Sequence, residues 1–329
     1  MSHVSTLTTQ YLREFAAYAK TQQFPYEPKS LYDPVRYSLA VPGKGVRPLL
    51  LMLAYGLSGR PIETVLPAAY AIELFHNFTL VHDDIMDAAD LRRGRASVHV
   101  AFDEPTAILA GDAMLIHTYG YLLDSDLGNG AAQALRTFQC MAVALCQGQQ
   151  RDMDLEHQAV ASYADYLAMI HGKTGALITA ALVMGAQLAE RPAHEIKHLR
   201  RAGDLAGRAF QIQDDLLDTF STSEQTGKTN YGDIVRGKQS APFLRAIELC
   251  KPQQREWLIN LYQLEEAQRR DHVTDILDLY GELAVEKSLD QEVNALTDEA
   301  LNLLGDLGGN VEAREGLQVL TQQLASRSF

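Results

Sequence analysis

Two stretches of this 329-residue chain gather carboxylates at a spacing that could hold a cation. In the first, Asp83-Asp84-Ile-Met-Asp87, the outer pair Asp83 and Asp87 are four residues apart. On a helix they share one face, about one turn (~5.4 Å) from each other. Like charges so placed repel unless a cation lies between them. Short carboxylates suit a hard ion such as Mg²⁺, whose shell water and phosphate oxygens complete. A solvated acidic patch is the plainer alternative, and the apolar residues leading up to Asp83 weigh against it. The second stretch, Gln211-Ile-Gln-Asp214-Asp215-Leu-Leu-Asp218, repeats the Asp-Asp-x-x-Asp spacing 131 residues later, again inside an apolar run. Two copies on separate helices predict a facing pair of acidic sites. An EF-hand is excluded, since its alternating acidic loop with a central glycine is absent.

Basic residues accompany these clusters. Lys44 and Arg47 follow a turn at Gly43, Arg92 and Arg93 follow the first cluster, and Lys173, Lys228 and Lys238 stand beside glycine or other small residues. Arginine forks and lysine point charges are common ligands of phosphate oxygens, so the set predicts a site for phosphorylated substrates. The formal charge of −13 argues against nucleic acid, whose backbone requires a basic face. It does not exclude anionic ligands held through divalent metal.

The elements that must carry these residues are helical. Leu12, Phe15, Ala16 and Ala19 follow the spacing of an amphipathic helix, and Leu66, Tyr70, Leu74 and Phe78 recur every four residues. Long alternating runs of β-branched residues are missing, and breakers such as Pro42-Gly43 and Arg191-Pro192 are short. The expectation is an all-α protein, residues 1–329 forming a single domain of ten or more helices around a central apolar cavity. The segment from Gly175 to Ala189 is apolar nearly all round, as befits a helix in the middle of a bundle. Neither it nor Pro48 to Leu57 reaches the ~20 apolar residues of a membrane span. The N-terminus lacks the pattern of a secretion signal. Cys140, Cys146 and Cys250 form no Cys-x-x-Cys pair and read as small buried hydrophobes of a reducing compartment, so a cytoplasmic location is expected.

Taken together, these residues resemble the trans-isoprenyl diphosphate synthases, the polyprenyl synthetase family. The resemblance runs over nearly the whole chain: Gly43-Lys44-x-x-Arg47-Pro48, the first DDxxD motif with Arg92-Arg93-Gly94, Gly148-Gln149, Lys173-Thr174, Gln211-x-x-Asp214-Asp215-x-x-Asp218 and Gly227-Lys228. It implies head-to-tail condensation of isopentenyl diphosphate with an allylic diphosphate, releasing diphosphate. By the same resemblance Asp83, Asp87 and Asp214 would hold three Mg²⁺ ions, with Asp84, Asp215 and Asp218 acting behind them or through water. Arg92, Lys173, Lys228 and Lys238 would complete the allylic diphosphate site. Lys44, Arg47, His76 and Arg93 would bind isopentenyl diphosphate, and Thr174 and Gln211 would lie beside the developing carbocation. A homodimer is also implied. The chain departs from the family pattern at Pro42, at Gly45 and at Ala96-Ser97.

In this family the product tail grows beside the first aspartate helix towards its N-terminus. At ~1.5 Å per residue, Phe78 stands about 7.5 Å and Phe75 about 12 Å from Asp83 along the axis. An aromatic Phe78 beside a small Thr79 resembles the geranylgeranyl-type enzymes, so C20 is expected over C15, with Phe75 able to make the floor shallower. Two other readings share parts of the pattern. A class I terpene cyclase would have the fold and the first cluster but no need of isopentenyl diphosphate. An HD-type metal phosphohydrolase would use His76 and His82-Asp83 as metal ligands and leave the second cluster without a role.

Overall fold

The computed structural model describes residues 6–123, 127–220 and 231–326, and these are overwhelmingly helical. Through the first two-thirds of the chain the elements run α1 (Thr6–Thr21), α2 (Lys29–Leu39), α3 (Val46–Gly56), α4 (Leu66–Met86), β1 (Leu91–Arg92), β2 (Arg95–Ala96), α5 (Val98–Ala101), α6 (Glu104–Leu123), α7 (Ala131–Glu156), α8 (Tyr163–Ile170), α9 (Ala176–Leu188) and α10 (Ala193–Phe220). Further helices follow, from the short Gly232–Arg236 and Ala241–Leu249 to the 21-residue Val285–Gly305. The all-α architecture of many helices agrees with the apolar periodicity. The strands add only a two-residue antiparallel ladder, Leu91 with Ala96 and Arg92 with Arg95. Its turn, Arg93-Gly94, is left-handed at both residues (φ 51° and 74°), the geometry that matches strand twist in tight hairpins.

Two compact units emerge. The first draws on Met1–Phe138, Ala181–Ile196 and Leu307–Leu317, the second on Gln139–Ala180, Lys197–Asp306 and Gln318–Phe329. In the first, every residue of α3 from Pro48 to Gly56 is buried, and α4 lies along α6. The segment from Leu307 is fastened by Asn310 N–H to Leu57 O (2.9 Å), and by buried Glu195, which accepts from Gly308 N–H (3.2 Å) and from Arg191. In the second, Tyr166, Phe243, Tyr280, Ile276 and Leu289 centre one apolar core.

Helix α9 is buried almost throughout, as its all-round apolarity predicts. A π-helical turn, His171–Gly175, joins it to α8 without a break. The combined helix Tyr163–Leu188 therefore runs 26 residues at mean hydropathy 1.5, long and apolar enough to cross a membrane by length and composition. This corrects the shorter length inferred from Gly175 to Ala189 alone. Its most apolar window is 72% buried within the protein, so the apolarity is spent on packing. The cysteines need correcting too. Cys140 and Cys146 are exposed on the outer face of α7, Cys250 is half-buried, and all three are free thiols.

Candidate active site

The first aspartate motif occupies the very end of α4. Asp87 caps the helix, Ala88 turns left-handed (φ 47°), and Ala89 N–H reaches back to Asp84 O (2.9 Å) while Ala88 N–H reaches Ile85 O (3.2 Å). This is a Schellman-type ending built without glycine. It sets three carboxylates at the negative pole of the helix, where anions are disfavoured. Asp84 turns inward and is buried, accepting hydrogen bonds from Arg92 Nε (2.9 Å) and Nη2. Burial works to lower the Arg92 pKa, but Asp84, Asp83 and Asp87 outweigh it and raise it. Asp83 is half-buried and Asp87 exposed.

Two turns up the same helix lies a second basic group. Arg47 Nη1 donates to His76 Nε2 (3.0 Å), so the hydrogen of the neutral ring resides on Nδ1. Burial, then the charges of Arg47, Arg93 and Arg92, hold the His76 pKa well below its ordinary value. Glu73, unremarked in the sequence, is the acid of this group. Burial raises its pKa, while Arg47, Arg93 and a hydrogen bond with Asn77 oppose the rise. Arg93 Nη1 donates to Val41 O (2.6 Å), and both Arg93 and Glu73 crowd Gly43, where a Cβ would come within 3.0 Å of each. Gly45, a departure from the family pattern, is the left-handed N-cap of α3 (φ 66°), a conformation glycine adopts without strain. Lys44 is exposed beside it. Ser97, another departure, is buried with its N–H on Asp90 O (2.9 Å).

The second unit carries the remaining groups. Helix α8 starts at a capping box in which Ser162 Oγ accepts from Asp165 N–H (3.0 Å), and the π-turn at its far end holds Lys173 and Thr174. Thr174 Oγ1 donates to Gln211 Oε1 (2.8 Å), and Lys173 Nζ donates to Asp152 Oδ2 (2.5 Å). Like Asp84 in the first motif, the middle aspartate of the second is buried. Asp215 accepts from Tyr166 OH (2.7 Å), Ala241 N–H (2.9 Å) and Gln211 Nε2 (3.0 Å). Its carboxyl is pushed up to about 6, chiefly by burial. Burial works to lower the Lys238 pKa, yet Asp233, Asp215, Asp152 and Asp214 raise it. Asp218 Oδ2 accepts from Asp233 N–H (2.7 Å). Lys228 lies outside the described residues. Asp83 and Asp87 thus belong to the first unit and Asp214 to the second.

On α4 upstream of Asp83, Phe75 is buried edge-on against Phe78 (5.2 Å between centroids) and against Phe138 (5.1 Å). Phe138 in turn meets Tyr119 (5.3 Å), and Thr79 is buried. His82 Nε2 lies 3.1 Å from Ile108 O, over Gly111, whose Cβ would come within 2.3 Å of it. Nε2 of each ring thus already has a protein partner, Arg47 on His76 and Ile108 O on His82.

The fit to Mg²⁺ follows from the donors. Among the described residues no group of three or more His, Cys, Asp or Glu could hold a metal ion by itself. The motif donors are all oxygens and, on α4, sit where the helix pole disfavours their charge. That set suits a hard cation arriving with phosphate oxygens rather than a closed protein cage.

Glu73, Asn77, Asp152 and Tyr166 escaped the sequence reading. Spacing could have raised three of them: Glu73 stands three residues before His76 and four before Asn77, and Asp152 stands one turn after Gly148.

A polyprenyl synthetase family model matches residues 28–280. The geranylgeranyl diphosphate synthase of Methanosarcina mazei is 39% identical over 227 residues, 67% of this chain and 68% of that protein. The geranylfarnesyl diphosphate synthase of Natronomonas pharaonis is 37% identical over 253 residues, 71% and 74% of the two chains. A crystal structure of a geranylgeranyl pyrophosphate synthase superposes with a TM-score of 0.89 at 35% identity, covering 99% of both chains. The chain belongs to the polyprenyl synthetase family and is a prenyltransferase.

Proposed function

We propose that this prenyltransferase condenses isopentenyl diphosphate with an allylic diphosphate, depends on Mg²⁺ and stops mainly at C20. The observation that carries the product length is the aromatic group Phe78–Phe75–Phe138 on the tail side of α4, upstream of Asp83. Bulk at that height suits a tail that grows along the helix and then meets rings.

In this reading Asp83, Asp87 and Asp214 hold the metal ions, which when bound screen the allylic diphosphate and stabilise it as a leaving group. Arg92, Lys173, Lys238 and Lys228 add fixed positive charge to that diphosphate. Lys44, Arg47, His76 and Arg93 receive isopentenyl diphosphate, with Glu73 holding Arg47 and Arg93 in place while the site is empty. The hydroxyl of Thr174 and the amide of Gln211, already bonded to each other, present lone pairs to the allylic cation. Residues 1–329 work as one catalytic domain, a reading supported by a family match that runs through both units.

A homodimer is supported by Leu109, Ile116 and Leu123, which recur every seven residues along α6 and are 58%, 70% and 64% exposed. Free thiols on an outer face favour a reducing compartment, the cytoplasm. Incubating the enzyme with labelled isopentenyl diphosphate and each allylic primer, then sizing the dephosphorylated alcohols, tests the product length. Mainly C20 alcohol is expected, and products of C30 or longer would overturn the floor.

A further inference from the structure

The π-turn His171–Gly175 has a wider hydrogen-bond register than the α-helices it joins, a geometry found mostly as single turns at functional sites. Two neighbours press on it through glycine. A Cβ on Gly148 of α7 would come within 2.2 Å of Lys173 N, and one on Gly207 of α10 within 2.5 Å of Gly175 Cα. These contacts fix how closely the helices approach but not the aim of the turn's side chains. Aim is set by hydrogen bonds. Lys173 is held by Asp152 and Thr174 by Gln211, the contacts that a bound diphosphate and its allylic carbon would compete for.

A third fastening lies outside that competition. His171 Nδ1 is 2.6 Å from Asp204 Oδ1, joining the first residue of the π-turn to α10 one turn before Gly207. An ionised carboxylate only accepts, so Nδ1 carries the hydrogen. Asp204 is 14% exposed and also meets Arg201 and Arg208, each at 3.4 Å. Burial works against its charge, but the His171 hydrogen bond and the two arginines prevail and hold its pKa below the usual value. Along α10, Asp204, Gly207 and Gln211 thus meet His171, Gly175 and Thr174 in succession.

We propose that His171 and Asp204 are a positioning pair that keeps the π-turn in register, so that Lys173 and Thr174 stay aimed when substrate displaces their resting partners. The inference rests on the reading that Lys173 and Thr174 serve the allylic substrate. A pair that merely stabilised the fold would change the melting temperature and leave turnover alone. A pair that aims the turn acts on kcat, because small misplacements of a reacting group cost rate steeply.

The test uses the full-length enzyme and steady-state kinetics in both substrates, with a melting curve for each variant. Asp204→Ala should lower kcat about ten- to a hundredfold with KM within about threefold. Asp204→Asn and His171→Asn, which preserve an N–H···O contact, should retain kcat within about threefold. Glu299→Ala, which removes only the other carboxylate partner of Arg201, should leave kcat unchanged. If Asp204→Ala fails to fold, His171→Ala breaks the same contact from the more exposed side. Unchanged kcat in the alanine variants, or a loss that asparagine does not rescue, overturns the pair. Lys173→Ala is run in parallel. If it is impaired while Asp204→Ala is not, only the pair falls; if it is fully active, the underlying reading falls and the pair with it.

Discussion

Lys173 Nζ is bonded to Asp152 Oδ2 at 2.5 Å, so a cation proposed for the substrate diphosphate spends its resting state on a carboxylate of α7. The same carboxylate contributes to raising the Lys238 pKa. Lys173→Ala is expected to lower kcat by about 10²–10³, the range for losing one preorganised charge-stabilising donor. Asp152→Asn should cost less than Lys173→Ala, since Lys173 keeps its charge and loses only its rest. Steady-state rates with the allylic substrate varied check the order, and a larger loss in Asp152→Asn would refute it.

Metal dependence is the expected outcome of the proposed role of the carboxylate faces. Chelation with EDTA should abolish condensation and added Mg²⁺ should restore it. Asp83→Asn and Asp214→Asn should each raise the Mg²⁺ concentration for half-maximal rate and lower kcat by about tenfold or more. A magnesium titration of each variant is the measurement; unshifted curves would remove these residues from the metal set.

Product length should respond to the rings on α4. Phe78 is only partly buried, so Phe78→Ala is tolerated and should lengthen the product by opening the space beneath Thr79. Phe75 is fully buried between Phe78 and Phe138, and Phe75→Ala should cost about 3–5 kcal/mol of stability. Phe75→Leu is the gentler probe. Sizing the alcohols from both variants decides which ring is the floor, and an unchanged distribution in Phe78→Ala would dismiss it.

Alkaline stability should reflect Tyr11, whose hydroxyl packs onto Gly56 in the first unit. Burial, with Glu14, Glu63 and Glu312 nearby, pushes its phenol up to about 12 from 10.0. Between those values the folded chain retains a proton that the unfolded chain has released, so stability falls as pH rises through that window. Urea midpoints from pH 8 to 11 should decline, and Tyr11→Phe should decline less steeply; parallel slopes would rule the group out.

Assembly can be read separately. Leu109→Glu with Ile116→Glu places charge on the exposed stripe of α6 and should convert a dimer to monomer in sedimentation velocity, with helicity retained. A monomeric parent would dispose of the stripe as an interface.

Much of the site was legible because its chemistry lives in local spacing. Helical periodicity announced α4 and α9, and the i, i+4 aspartates announced themselves wherever a helix carried them. What escaped depends on contacts between residues far apart in sequence. Asp152 and Asp204 are unremarkable acids until folding brings them to Lys173 and His171. The π-turn was hidden for a different reason: its one-turn register change leaves the apolar pattern of Tyr163–Leu188 nearly intact. Ala88 takes left-handed backbone where glycine is the usual signal, so the end of α4 could not be located by composition.

The glycines at the π-turn have a practical consequence for anyone redesigning this enzyme. Gly148, Gly172 and Gly207 each face backbone atoms within 2.9 Å of an added Cβ, and no flexible side chain stands there to move aside. A mutant library should therefore freeze these positions. Diversity is better placed among the rings on α4, α6 and α7, which belong to the other compact unit, where the proposed product floor can be searched without rebuilding the turn that carries Lys173 and Thr174.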